Sequence, residues 1–248
     1  MHRSWRARGV AAAAFAAMLF GLAGQARAQT EGPVIVTVAL DGVVDPIIAD
    51  HITATIARAE GDGAEAVLLT IDTPGGLGSS MDQIDEAILN SSIPVIGYVS
   101  PSGARAASAG AFILLSCPVA AMAPGTNVGA STPIGLSGGD LSDKVTNDAA
   151  AKMRAIAQSY GRNAGVAESF VTEAASITAD DALADDVIDQ IASNADELLQ
   201  RLDGTTVKLG TGTSVTLQTA GATMEDAPLG GFLGFLHALI DPNIAFIF

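Results

Sequence analysis

Three apolar runs rich in β-branched residues, at 34–40, 66–71 and 94–99, divide the first half of the chain. Their near-continuous hydrophobicity predicts strands covered on both faces, as in the parallel sheet of an α/β protein. Between them apolar positions recur at helical spacing: Ile48, Ile52, Ile56 and Ala59 within 46–59, and Met81, Ile84, Ala87 and Ile88 within 79–89. Strand and helix in alternation predict repeated β-α-β winding.

The apolar stretch from Ser108 to Leu115 predicts a short buried helix, followed by a strand over 119–123. Residues 124–140 hold too many Gly, Ser, Thr and Pro for regular structure and form a loop long enough to border a cleft. A helix is expected over 142–160, with Gly161 as its C-cap and Val145, Ala149, Met153, Ile156 and Tyr160 as its core stripe. Thr178 caps a helix whose acidic first turn suits the macrodipole. A brief strand at 187–189, an amphipathic helix over 194–202 and a small hairpin within 204–221 complete the pattern. Residues 231–248 are nearly all apolar but are broken by Asp241-Pro242-Asn243, and the first block is too short to span a bilayer. This tail is expected to lead toward a missing or truncated membrane region; a C-terminal helix docked on the core is the alternative.

The beginning of the chain changes the picture. His2, Arg3, Arg6 and Arg8 precede an apolar stretch from Gly9 to Gly24, and Ala26-Arg27-Ala28 precedes Gln29. This is the three-part form of a secretory signal at 1–28, and it predicts an exported protein on the periplasmic or extracytoplasmic face of a membrane. An uncleaved anchor is the alternative. After cleavage eight basic residues would face 27 acidic ones, a formal charge of −19. Such a surface repels phosphate backbones, so nucleic acid is excluded as a partner. Cys117, the only cysteine, lies in an apolar run and reads as a small buried hydrophobe. His51 and His237, the histidines outside the signal, have no second ligand at zinc spacing, and neither metal nor cofactor is expected.

The segment from Asp72 to Pro133 carries the candidate chemistry. Asp72-Thr73-Pro74-Gly75-Gly76 follows the second strand, and Gly103-Ala104-Arg105-Ala106-Ala107-Ser108-Ala109-Gly110 precedes a helix. A serine among small residues at a strand-to-helix turn is accessible to a substrate, and paired glycines let a carbonyl approach backbone N–H donors. Ser108 is therefore the candidate nucleophile, with an oxyanion hole from the Ala109 N–H and one N–H of Gly75 or Gly76. A serine needs a base. His51 and His237 lie far from this segment in sequence, which makes a Ser-His-Asp triad weak and turns attention to lysine. Lys144 falls in the first turn of its helix, where the positive dipole end disfavours an ammonium. Lys152 lies closer to the core stripe, so spacing leaves both open; Lys208 sits in the hairpin region.

These residues resemble the NfeD-type membrane-associated serine proteases of the Clp-protease/crotonase fold group, related to signal peptide peptidase A. Further matching segments are Ala121-Met122-Ala123-Pro124-Gly125-Thr126-Asn127-Val128-Gly129-Ala130, Tyr160-Gly161-Arg162-Asn163 and Asp241-Pro242-Asn243. The resemblance implies an α/β fold, a Clp-protease/crotonase-like β-α-β superhelix, here with a small C-terminal hairpin and an apolar tail. It implies a Ser-Lys dyad of Ser108 and Lys144, and favours Lys144 over Lys152. The implied organisation is a signal peptide at 1–28, a protease domain at 29–203, a hairpin extension and linker at 204–230, and the apolar segment at 231–248. The implied function is cleavage of hydrophobic segments in membrane proteins such as stomatin-like partners, by a homodimer. Arg105 stands where the family often has a small residue. A catalytically weak, membrane-tethered scaffold for a stomatin-like protein is the second reading. Acyl-CoA chemistry on the same fold fits neither the export signal nor the acidic surface.

Overall fold

The computed structural model describes residues 32–134 and 142–240 of the chain. The signal assigned to 1–28, part of the expected 124–140 loop, and the Asp241-Pro242-Asn243 segment with the residues after it lie outside these.

The first half follows the apolar pattern. Strand β1 (Val34–Asp41) leads to helix α1 (Pro46–Asp62), β2 (Ala66–Asp72) to α2 (Gly78–Asn90), and then β3 (Val95–Val99) follows. Asp45 starts α1, its carboxylate accepting the Ile48 N–H at 2.9 Å, and Gly63 ends it in the left-handed region. A short strand β4 (Arg105–Ala107) runs into helix α3 (Ala109–Ser116), and β5 (Val119–Met122) follows. Every residue of α3 is buried, as its apolar sequence requires up to Ser116, whose hydroxyl donates to Asp85 Oδ1 at 3.1 Å. Beyond it come β6 (Asn127–Gly129), α4 (Asp143–Ser159), α5 (Ala164–Thr172), β7 (Ser176–Thr178), α6 (Ala179–Ala184), β8 (Gln190–Ile191) and α7 (Ala195–Leu202). The chain continues through β9 (Thr206–Lys208), β10 (Ser214–Thr216) and β11 (Thr223–Asp226) to α8 (Gly231–Ile240).

The main sheet has the order β11-β1-β2-β3-β5-β8, with every pair parallel. Alternate residues divide its faces. Val38, Leu40, Leu69 and Ile71 meet α1 to α5, whereas Ile35, Leu68, Ile96 and Tyr98 meet α7 and the loop around Leu217. A second, three-stranded sheet, β4-β6-β7, stands beyond the carboxyl end of β2, joined to it by the Thr73–Ala106 bridge.

Several expectations need correction. No strand forms at 187–189, because the Val187 and Ile188 N–H groups turn back to the Ala182 carbonyl; pairing with β5 begins at the Asp189 N–H. The expected 124–140 loop contains β6, too short for a periodic signal. In α4 the buried residues are Ala150, Met153, Ile156 and Ala157, while Val145 is 41% exposed. The hairpin within 204–221 forms from β9 and β10, but residues 223–226, read as linker, pair along β1 as an edge strand. Among the described residues no helix is long and apolar enough to cross a membrane.

Candidate active site

Ser108 sits between β4 and α3 with φ 53° and ψ −117°. A positive φ at a residue with a side chain is strained and persists only where its surroundings over-determine it. Here they do. The Ser108 N–H donates to the Gly129 carbonyl at 3.2 Å, and the Ser108 carbonyl accepts from Ser131 Oγ and the Ala111 N–H, both at 3.1 Å. Gly110 packs α3 so tightly that a Cβ there would stand 2.5 Å from Thr73 Cγ2.

The facing turn is built from Gly75 and Gly76. Gly75 has φ 106°, and a Cβ on it would stand 2.5 Å from Ser108 Cβ and 3.0 Å from Ser108 Oγ. A Cβ on Gly76 would meet the Val44 carbonyl oxygen at 2.3 Å. Gly75 donates its N–H to Thr73 Oγ1 at 3.0 Å. Among the described residues the Gly76 N–H has no such acceptor, so of the pair Gly76 is the better candidate for an oxyanion donor. Gly75 supplies the clearance.

Ser108, Ala109 and Gly76 line one cavity of about 410 Å³. Its apolar wall comes from Met81, Phe112, Pro133, Ile134 and Val145, and its polar end from Asp82, Asp148 and Lys152. A larger cavity of about 560 Å³ lies against Val119, Tyr160 and Lys208 and includes no residue of the serine site.

The lysines separate clearly. Lys144 is exposed in the first turn of α4 and does not line the serine cavity. Lys152 lines it, but its ammonium lies 2.5 Å from Asp82 Oδ1 and 2.7 Å from Asp85 Oδ2, and 5.6 Å from the centroid of the Phe112 ring. Burial works to lower its pKa, yet the two carboxylates outweigh this and raise it above 10.5, so Lys152 is a cation at neutral pH. Burial pushes the Asp85 carboxyl up to about 6 against the pull of Lys152. The Asp82–Asp85–Lys152 group did not emerge from the sequence reading; an acid at 85, beside Ile84 and Ile88 on the apolar stripe of α2, was its available signal.

The histidines are engaged elsewhere. His51 Nε2 lies 2.9 Å from the Ala227 carbonyl oxygen, and His237 Nδ1 lies 2.7 Å from Asp45 Oδ2. Neither lines the serine cavity. Cys117 is buried, and burial raises its thiol pKa.

The sequence model of the family "NfeD1b, N-terminal domain" matches residues 34–211. Membrane-bound protease PH1510 of Pyrococcus horikoshii is 38% identical over 214 residues, covering 84% of this chain and 48% of that protein. The chain thus spans about half the length of this curated relative. A lysine-to-alanine mutant of the 1510-N membrane-bound stomatin-specific protease, solved with a substrate peptide, has a TM-score of 0.80 at 34% identity, covering 84% of this chain and 98% of the other. A serine-to-alanine mutant of 1510-N has a TM-score of 0.75 at 37% identity, covering 79% and 97%. ClpP1 of Listeria monocytogenes, at 19% identity and a TM-score of 0.54, covers 65% and 94% and supports the fold alone. With a Clp-protease-like fold and a family match across most of its length, the chain belongs to the NfeD1b N-terminal domain family.

Proposed function

We propose that this chain is a membrane-associated serine endopeptidase acting on stomatin-like membrane proteins, with Ser108 as nucleophile and Lys144 as general base. The observation that carries the reading is the strained Ser108 seat, facing Gly75 and opening on an apolar cavity. The stripe 144-148-152 on α4 also favours Lys144: Asp148 and Lys152 line the cavity, and Lys144 lies one turn nearer the start of the helix. Lys152, held by two carboxylates, is a poor base.

In this reading the Lys144 amine takes the Ser108 Oγ proton as the oxygen attacks the scissile carbonyl. The negative oxygen of the tetrahedral intermediate accepts from the Gly76 and Ala109 N–H groups. The lysine ammonium then protonates the leaving amine, and an acyl-enzyme remains on Ser108. Water, deprotonated by the same amine, attacks the ester and releases Ser108. The apolar wall suits a hydrophobic peptide segment. The names of the relatives, a membrane-bound protease and a stomatin-specific one, support the substrate class and the membrane association. Export and a homodimer belong to the same proposal.

The test is cleavage of a hydrophobic segment from a stomatin-like protein by the purified chain beside its Ser108→Ala and Lys144→Ala variants. Cleavage by wild type and failure of both folded variants is expected. Cleavage that survives Lys144→Ala would overturn the assignment of the base.

A further inference from the structure

We propose that His237 is a positioning residue for the oxyanion turn: from α8 it grips both ends of segment 41–45, and that segment holds the peptide of Gly76. The proposal rests on reading the Ser108 site as hydrolytic.

The contacts are continuous. His237 Nδ1 lies 2.7 Å from Asp45 Oδ2, and its Nε2 lies 2.9 Å from the Asp41 carbonyl oxygen. Asp45 is 1% exposed, and its other oxygen caps α1. Between Asp41 and Asp45, Gly42 donates to the Asp72 carbonyl at 3.0 Å. Val44 then holds Gly76 from both sides: its N–H donates to the Gly75 carbonyl at 3.0 Å, and its carbonyl accepts the Leu77 N–H at 2.8 Å. The Val44 carbonyl is also the atom a Cβ on Gly76 would strike. The orientation of the Gly76 N–H therefore depends on Val44. Because α8 follows the rest of the domain in sequence, its docking closes the frame around the oxyanion turn.

Only the imidazolium donates from both nitrogens at once; the neutral ring leaves one contact without a proton. Burial works to lower the His237 pKa, but the bonds to Asp41 and Asp45 and the charges of these residues prevail and raise it above 6.5. The charged groups facing it are Asp45 at the head of α1 and Asp41 at the end of β1. On the next turn of α1, Asp50 accepts from Gln83 and His51 meets the Ala227 carbonyl; α8 carries no other ionisable side chain. A raised folded pKa means that the stabilisation is complete below pH 6.5 and is lost as pH rises through the folded value. The grip is tightest on the acid side.

The test uses the whole chain and its His237→Ala and His237→Gln variants, with amide hydrogen exchange and steady-state cleavage measured across pH 6 to 9. The expected result for His237→Ala is faster exchange at Leu77, by about tenfold, with core strands β2 and β3 unchanged. Its kcat is expected to fall by about tenfold with KM little altered. His237→Gln keeps one donor and does not titrate, so its kcat is intermediate, and the ratio of wild-type to His237→Gln kcat falls as pH rises. Unchanged exchange at Leu77 in His237→Ala, or an equal rise throughout the domain, would overturn the proposal. If wild type cleaves nothing, the proteolytic reading fails, while exchange at Leu77 still decides the role of His237.

Discussion

A methyl group on Gly75 would press on Ser108 Cβ, and one on Gly76 on the Val44 carbonyl, so neither glycine is exchangeable without moving Ser108 or the turn facing it. Gly75→Ala and Gly76→Ala are each expected to lower kcat at least about 100-fold while the circular dichroism of the fold persists. Near-normal turnover in either would show that the turn does not form the oxyanion site. The serine and the glycines were legible from sequence because chemistry and backbone geometry restrict such turns to few residue types. The choice between Lys144 and Lys152 was not, because periodicity sets Lys152 nearer the core stripe and does not reveal that Asp82 and Asp85 of α2 hold its ammonium. The family resemblance favoured Lys144 where periodicity did not decide.

At the scale of elements, Lys152 joins α4 to α2 through Asp82 and Asp85, and to α3 through Phe112. Lys152→Met would leave the buried Asp85 without its cation and is expected to cost about 2 kcal/mol, read from urea unfolding at pH 7. The pH dependence has a definite sign. Asp85 has a folded pKa of about 6 against an ordinary 3.8, so its stabilising effect is complete below pH 3.8 and is lost as pH rises through 6. The stability of Asp85→Asn relative to wild type should therefore improve between pH 4 and pH 7; a difference that does not vary with pH would contradict this account. Strands β1 to β3 and helices α1 and α2 were readable because each has a full-length apolar pattern. Strands β4, β6, β7 and β11 were not: three or four residues carry no period, and these strands exist because neighbours present free edges.

Across the whole molecule, Arg162 ties distant parts together. Its guanidinium donates to the Leu115 carbonyl at 2.8 Å, the Cys117 carbonyl at 2.9 Å and Asp189 Oδ2 at 2.7 Å, linking the α4–α5 corner to α3 and to the start of β8. Arg162→Met is expected to destabilise the chain by about 3 kcal/mol, measured by denaturant unfolding, because it strands the buried Leu115 and Cys117 carbonyls and takes the cation from Asp189, which among the described residues keeps only the Ala120 N–H. A fully stable variant would show that packing alone holds that corner. The α/β class and the covered parallel sheet followed from hydrophobic pattern. For the apolar tail a helix docked on the core was the alternative reading, and composition gave no sign that His237 in α8 would meet Asp41 and Asp45.

Acylation of Ser108 with the help of Lys144 can be read by intact-protein mass spectrometry with peptide mapping, after incubation with an activated ester of a hydrophobic peptide. A single acyl adduct is expected on Ser108 of the wild-type chain, lost in Ser108→Ala and at least about 100-fold slower to form in Lys144→Ala. An adduct on another residue, or one that forms at the wild-type rate without Lys144, would contradict it.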